Sequence, residues 1–455
     1  MMYSLNPKVI LRSEPQYYDT YAAFDYDTVR TELLTEEECR ILAHISVAPC
    51  NADEISRKTH VHLKKCKKFL NRMLKLRYVE ANAGNFKAQA PERTKVDSRL
   101  FGQFILPFLS APTSVDLFVT SRCNLECVHC FSSTEDQTVN ELSVEEVESV
   151  LDQLEKLGVQ QVRLNGGEPL LHPRIDEILK ALRHRRLRKV ILTNGTLLDE
   201  EKTRLLKQSS VTPTVSLDDS YANGHDLFRG VKGSFERTIE ALELLNRHEV
   251  QYGINCCLHA HNLGNHRKIL DLTTGHGASR IAFLDLKPSP RMRKNAGWVP
   301  SHSDYLRVLP ELMLDRIKYK RRIDVALDTF LTCRPPDESV LEARRGYVCC
   351  QAGRSSLSIG SDGTVYPCNL VMFDPKWAMG NIRGESVPEI WFSKKWSFFR
   401  GDVKTSDLTK CKGCKSLPEC SDFYCRLHPY LASGDPYGPH PKCSQGKVRN
   451  VKEEA

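Results

Sequence analysis

The sequence predicts an α/β protein: a central parallel sheet built from six β-α units, preceded by a small winged helix-turn-helix module and followed by a cysteine-rich segment. Three observations carry that reading. Apolar strand-length runs alternate with amphipathic helical stretches from Ser114 to about Lys320, the pattern of parallel strands joined by crossover helices. The first hundred or so residues hold short β-rich runs and then three helical ones. Of the 17 cysteines, eight lie between Cys349 and Cys443, where regular periodicity is poor.

The 455 residues, 40% hydrophobic and 27% charged, suit about two to four globular units and exclude collagen-like, wholly disordered and membrane-bundle classes. No apolar run approaches the roughly 18 residues of a spanning helix, so no membrane is expected as a partner. The start MMYSLNPKVILRSE lacks the parts of a secretory signal, which points to a cytoplasmic protein. In a reducing cytosol cysteines serve metals or catalysis rather than disulfides. A formal charge of +8 is compatible with an acidic partner and does not demand nucleic acid.

Residues 1–95 read as an independent module. Runs at 8–12, 17–24 and 28–33, separated by turn formers, predict a three-stranded antiparallel sheet. Thr35 and Glu38 form a capping box ahead of the stripe Ile41, Leu42 and Ile45, so a helix begins there. A second helix is expected over 53–59. A third places Leu63, Cys66, Leu70, Met73 and Leu74 on one face, and 78–80 would be a wing strand. The third helix bears Lys64, Lys65, Lys67, Lys68, Arg72, Lys75 and Arg77 with no acid among them. It is either a surface for phosphate or an acidic peptide, or a solvated face. Residues 96–112 form a linker whose apolar stretch, 101–109, is expected to pack onto the next domain.

In the central unit, 113–320, strands are expected at 115–120, 161–165, 189–193, 214–218, 252–258 and 280–286. The clearest helix starts at Ser143, boxed with Glu146, presents Val147, Val150, Leu151, Leu154 and Leu157, and ends at Gly158. The sheet is either an incomplete barrel or an open doubly wound one, and ligands should collect at the carboxyl ends of its strands. A bridging region, 321–346, leads to the cysteine-rich domain, 347–455, where metal sites would replace a core.

Two motifs sit on successive strand ends. CNLECVHC places Cys123, Cys127 and Cys130 on one loop with Cys-x3-Cys-x2-Cys spacing. Three thiolates leave one iron of a cubane cluster open to another molecule. Zinc, the competing reading, would need a fourth protein ligand; His129, lying between ligand positions, reads as a packing residue. The second motif is Asn165, Gly166, Gly167, Glu168, Pro169 and Leu170. Its paired glycines would let a ligand approach the backbone closely.

Together these motifs resemble the radical S-adenosylmethionine (SAM) enzymes, and the resemblance implies a partial (β/α)6 TIM-like barrel. It further implies a [4Fe-4S] cluster on Cys123, Cys127 and Cys130, whose open iron is chelated by SAM. The Gly166, Gly167 and Glu168 turn would hold the SAM amino group. Ser216 and Arg229 match positions that contact ribose or carboxylate, and Asn255 is a further candidate; Ser216 and Asn255 could equally be ordinary strand residues. The sixth strand lacks the glycine pattern of some relatives, which leaves adenine contacts open.

The later cysteines resemble a SPASM domain, which holds two auxiliary clusters, for three [4Fe-4S] clusters in all. The family pattern gives Cys411, Cys414, Cys420 and Cys443 to one. It gives Cys350, Cys368 and Cys425 to the other, with Cys349, Cys333 or a substrate thiolate as fourth ligand. The gap before Cys425 is four residues where the family has three, which puts its register in question. A zinc ribbon on Cys411, Cys414, Cys420 and Cys425 is the alternative, but it leaves Cys350, Cys368 and Cys443 unexplained.

The N-terminal module resembles the recognition element of enzymes that modify ribosomally made precursor peptides, in which a leader adds to a sheet edge. The resemblance therefore implies a peptide maturase served by an external electron donor such as flavodoxin or ferredoxin. Intramolecular thioether formation is favoured; carbon-carbon crosslinking, epimerisation and sulfatase-type oxidation use the same parts. A DNA-binding metal or redox sensor is the rival of another class. No residue stands out by spacing as an acid or base.

Overall fold

The computed structural model describes residues 1–6, 8–14, 20–25, 30–81, 108–131, 140–287, 289–328, 350–372, 374–414, 425–441 and 443. The expected fourth-ligand candidates Cys333 and Cys349, the cluster residue Cys420 and most of the 96–112 linker lie outside the described residues.

The N-terminal module contains β1 (Met2–Leu5), β2 (Val9–Glu14), β3 (Thr20–Asp25), β4 (Arg30–Leu34), α1 (Glu36–Val47), β5 (Cys50–Asn51), α2 (Ala52–Thr59), α3 (Leu63–Lys75) and β6 (Val79–Ala81). Strands β2, β3 and β4 pair antiparallel in that order, as the β-branched runs predict. The Thr35 and Glu38 box is present at the start of α1. A second sheet, β5-β1-β6, was not expected: β1 was missed because its partners lie far along the chain. Ile41, Leu42, Ile45, Cys66, Leu70 and Met73 are buried in a core of the module's own.

The central unit continues with β7 (Ser114–Thr120), α4 (Val144–Lys156), β8 (Gln161–Gly166), α5 (Ile175–Leu182), β9 (Arg188–Thr193), α6 (Glu200–Gln208) and β10 (Val211–Ser216). Then come α7 (Ala222–Arg229), α8 (Ser234–Arg247), β11 (Gly253–Leu258), α9 (His266–Gly275), β12 (Arg280–Asp285), α10 (Pro290–Lys294), α11 (His302–Tyr319) and β13 (Asp324–Leu327). Strands β7 through β13 are parallel and consecutive in space. All six predicted strands are present, and β13 extends the sheet by one strand that sequence reasoning assigned to the bridge.

The sheet does not stop at β7. Strand β14 (Ser356–Ile359) pairs parallel with β7, and β15 (Thr364–Tyr366) and β16 (Gly380–Asn381) follow antiparallel, so ten strands form one sheet. The cysteine-rich segment is thus joined to the barrel by backbone hydrogen bonds, and it shares the barrel's apolar core through Trp391, Trp396 and Phe399. Phe108, from the predicted apolar linker, packs against Trp391 and Phe392, with the Arg400 guanidinium 3.8 Å from its ring centre. No helix among the described residues is long and apolar enough to cross a membrane.

Helix α4 illustrates how local sequence sets an element. Ser143 and Glu146 satisfy each other's backbone amides, Val147, Val150, Leu151 and Leu154 are buried, and Gly158 at φ +67° turns the chain out of the helix. Each of those side chains contributes about 1.5–3 kcal/mol by leaving water.

Candidate active site

A cavity of about 1360 Å³ runs through the barrel, larger than the roughly 300–1,000 Å³ of an ordinary small-molecule site. Its walls are the inward-facing residues of β8 to β12, since side chains alternate along a strand. At the carboxyl ends of the strands it is bounded by Cys123, Cys127 and Cys130; Cys350, Cys368 and Cys425 line it as well.

The three-cysteine loop follows β7 and rests on the end of α7. Glu126 and Val128 donate their amides to the carbonyls of Arg229 and Phe228, at 3.2 and 2.9 Å. Gly230 permits this contact. It is in the left-handed region at φ +75°, and a Cβ there would lie 2.5 Å from the Glu126 carbonyl oxygen.

The glycine pair at the end of β8 has a packing role. A Cβ on Gly167 would fall 2.3 Å from the Arg122 oxygen, and one on Gly166 2.7 Å from the Thr120 oxygen. The glycines therefore let the turn lie directly against the start of the cysteine loop. The Gly167 and Glu168 amides donate to Thr120 and Arg122, at 3.0 and 2.8 Å. The Glu168 carboxylate is buried and accepts from Thr193 Oγ1 and the Asn194 amide, both at 2.7 Å, and from the Leu170 amide at 3.1 Å. Burial raises its pKa to about 7, against the pull of those hydrogen bonds.

Arg229 stands beside the loop. Its Nε and Nη2 donate to Asp218 at 2.6 and 2.5 Å, and Nη1 lies 3.7 Å from Cys127 Sγ. Asp218 also accepts from the Cys257 amide at 2.8 Å. Burial would raise the Asp218 pKa, but the Arg229 charge holds it below the usual carboxylate range. Burial pushes Cys123 up to about 12 and also raises Cys127, so a metal would have to displace protons there. Ser216 and Asn255 are register partners on β10 and β11 and line the same cavity.

His129 stacks on Phe228 with ring centres 4.4 Å apart and planes 2° from parallel. Phe228 in turn stacks on His259 at 4.2 Å. Burial lowers the His129 pKa to about 3, so the ring is a neutral packing group.

The later cysteines gather into two sets. Cys350 and Cys425 share a hydrogen bond that lowers the pKa of Cys350 to about 7 and raises that of Cys425. Cys368, raised to about 12 by burial and then by the nearby Cys350, completes the first set. Cys411, Cys414 and Cys443 are electrostatic neighbours and form the second. Among the described residues, no three His, Cys, Asp or Glu side chains converge as the ligands of a single metal ion do.

Sequence reasoning missed a polar cluster at the carboxyl end of β12. Tyr305 donates to Asp285 at 2.7 Å, and Lys287 Nζ donates to Asp328 at 2.6 Å while lying 3.9 Å from Asp285. Asp285, Lys287 and Asp328 line the cavity. The available signal was Asp285 standing at the carboxyl end of a predicted strand, where TIM-type chemistry collects.

The residues present fit a cluster and a polar cofactor. Three thiols bound one end of a cavity large enough for cofactor and substrate together, a guanidinium neutralises charge beside one sulfur, and polar side chains face inward from the neighbouring strands.

Comparison with known proteins agrees with this geometry. Residues 117–272 match the radical SAM superfamily, and residues 349–415 match the SPASM iron-sulfur cluster-binding domain. An AdoMet-dependent heme synthase of Methanosarcina barkeri is 30% identical over 358 residues, covering 74% of this chain and 98% of that protein. A PqqA peptide cyclase of Gluconobacter oxydans is 25% identical over 350 residues, 76% of this chain and 94% of that one. The crystal structure of Streptococcus suis SuiB bound to precursor peptide SuiA superposes with TM-score 0.74 at 18% identity, over 98% of this chain and 100% of that chain. At that identity the likeness is one of fold.

Proposed function

Since the chain belongs to the radical SAM superfamily and carries a SPASM extension, it is a radical SAM enzyme that binds SAM and iron-sulfur clusters, and we propose that it modifies a ribosomally made precursor peptide. The observation that carries this reading is the N-terminal module. It lies before the matched radical SAM domain, which begins at residue 117, and the heme synthase alignment uses nearly all of that relative but only 74% of this chain. The similarly folded SuiB, crystallised with a precursor peptide, matches over almost the whole chain.

In this reading residues 1–95 are a winged helix-turn-helix recognition element, and the leader joins a sheet edge as an added strand. Lys64, Lys67 and Lys68 on α3 are exposed, which suits an acidic leader. Two other lysine-helix cations are already paired, Lys65 with Glu37 and Arg72 with Glu38.

Cys123, Cys127 and Cys130 would hold the SAM-binding cluster. When bound and reduced, that cluster with SAM supplies a 5′-deoxyadenosyl radical able to remove a carbon-bound hydrogen. Arg229 orients the Cys127 sulfur and offsets its negative charge, while Asp218 fixes the guanidinium. The turn amides of Gly167 and Glu168 are committed to the cysteine loop, so its carbonyls are what it can offer to an amino group. Ser216 and Asn255 project from adjacent strands toward the rest of the cofactor. Asp285, oriented by Tyr305, can take up a proton from the substrate.

Cys350, Cys368 and Cys425 would hold one auxiliary cluster on the substrate cavity, and Cys411, Cys414, Cys420 and Cys443 the other. Thioether formation is the favoured outcome: a C–S bond would replace the peptide C–H and S–H bonds, with the hydrogen atom taken by the 5′-deoxyadenosyl radical, the thiol proton by Asp285, and the surplus electron by the cluster that Cys350, Cys368 and Cys425 would hold. An external donor such as flavodoxin or ferredoxin supplies the electron.

The second reading is tetrapyrrole chemistry, favoured by the 30% identity to a heme synthase. The two separate in one experiment. Anaerobic holoenzyme is incubated with SAM and reductant, and either Fe-coproporphyrin III or a Cys-containing peptide encoded beside the gene. A SAM-dependent mass change in the peptide, abolished by deleting residues 1–81, supports the maturase. Porphyrin conversion with an inert peptide overturns it.

A further inference from the structure

We propose that the mouth of the barrel cavity opposite the three-cysteine loop is a carboxylate-binding subsite, formed by Arg188 and Arg280 at the amino ends of β9 and β12, that holds an acidic group of the substrate peptide. The proposal rests on the peptide reading above and names one chemical feature of that peptide.

The first cavity-facing positions of β8, β9, β11 and β12 are Gln161, Arg188, Gly253 and Arg280. Gln161 pairs in register with Arg188, and Gly253 with Arg280. These positions lie at the amino ends of parallel strands, whereas the cysteine loop lies at the carboxyl ends.

Arg188 is half-buried, and among the described residues no carboxylate or other acceptor meets its guanidinium. Burial and then the like charge of Arg280 pull its pKa below the ordinary arginine value. Its neighbours differ. Arg163 is neutralised by Asp116 at 2.7 Å, and among the described residues Arg280 has only the exposed Asp324 at 3.6 Å. A half-buried cation facing another is unfavourable unless an anion joins them, and the planar guanidinium fork matches a carboxylate.

Gly253 supplies the space. Its φ is not in the left-handed region, and a Cβ there would meet neighbours at 3.6 Å or more, an ordinary contact. Neither strain nor crowding demands glycine, so its effect is to leave the cavity open beside Arg280. An acidic group held there would fix the substrate at a point remote from the reacting carbon, where binding can be used for orientation.

The test uses reconstituted, SAM-loaded holoenzyme and three short probes in ligand-observed NMR titrations. Two are end-blocked pentapeptides with a central Glu or Gln between glycines, and the third is N-acetylated pentaglycine with a free carboxyl terminus. At least about tenfold tighter binding is expected for a carboxylate probe than for the Gln probe. Preference for the Glu probe identifies a side-chain carboxylate, and preference for pentaglycine a terminal one. Arg188→Gln should abolish the preference while leaving Gln-probe binding unchanged, which also reports that the barrel is folded, and Arg188→Lys should retain part of it. Equal affinities for all three probes, or a preference that survives Arg188→Gln, overturn the proposal. Leader binding by residues 1–81 is measured separately, so failure of the subsite is distinguishable from failure of the peptide reading.

Discussion

Gly230 and Gly233 offer a matched pair for testing how the cysteine loop is supported. Both are left-handed, at φ +75° and +77°, so alanine at either costs about 1–2 kcal/mol of backbone strain, partly offset by about 0.4–1 kcal/mol from a stiffer unfolded chain. They differ in surroundings. A Cβ at Gly230 would lie 2.5 and 2.9 Å from the Glu126 carbonyl oxygen and carbon, whereas at Gly233 nothing lies within 4 Å. Overpacking of that kind costs about 1–3 kcal/mol, or the loop moves to relieve it. Gly230→Ala should therefore melt about 1–5 °C below Gly233→Ala and produce less 5′-deoxyadenosine, because the displaced segment carries Cys127. Anaerobic thermal denaturation and chromatographic quantitation of 5′-deoxyadenosine read the two effects. Equal melting points with equal SAM cleavage would refute the reasoning that α7 holds the loop in place.

Other outcomes follow from the same geometry. Arg229→Leu leaves Asp218 buried without its cation and should cost about 3–5 kcal/mol in chemical denaturation; an unchanged midpoint contradicts the pair's role. Cys127→Ala should abolish SAM cleavage, and persistent 5′-deoxyadenosine would remove it from the cluster. Cys414→Ala should retain some abortive SAM cleavage yet lose peptide product, with full product yield the contrary result. Asp285→Asn should slow peptide product by about 10²-fold while 5′-deoxyadenosine still forms, and an unaffected product rate would exclude Asp285 as the proton acceptor.

What was legible in the sequence was local. Capping boxes at Thr35 and Ser143 act within four residues, and short β-rich runs alternate with amphipathic helical stretches, so α1, α4 and β7 to β12 could be read directly. The cysteine spacing and the glycine turn were legible because a single loop carries each. Strand β1 was not, since its partners are distant in sequence, Tyr3 pairing with Cys50 and Ala81; nor was the place of β14 in the large sheet, which depends on Ser356 meeting Ser114. Strand β13 is four residues at a sheet edge. The Asp285, Lys287, Tyr305 and Asp328 cluster comes from separate elements and has no spacing signature. Arg188 and Arg280 likewise reach one cavity only because the sheet brings β9 and β12 around it. The close packing of the glycine pair at 166 and 167 could not be read either, because the atoms it avoids belong to the preceding strand and loop.

The central claim is that this barrel carries one cluster at its three-cysteine loop and two more on the SPASM cysteines. Iron, sulfide and zinc content measured with Mössbauer spectra on anaerobically purified protein tests it most directly. About twelve irons per chain, all in [4Fe-4S] form, is the predicted result. About four irons with bound zinc would contradict it, making the SPASM segment a structural zinc module and leaving thioether formation without an electron acceptor.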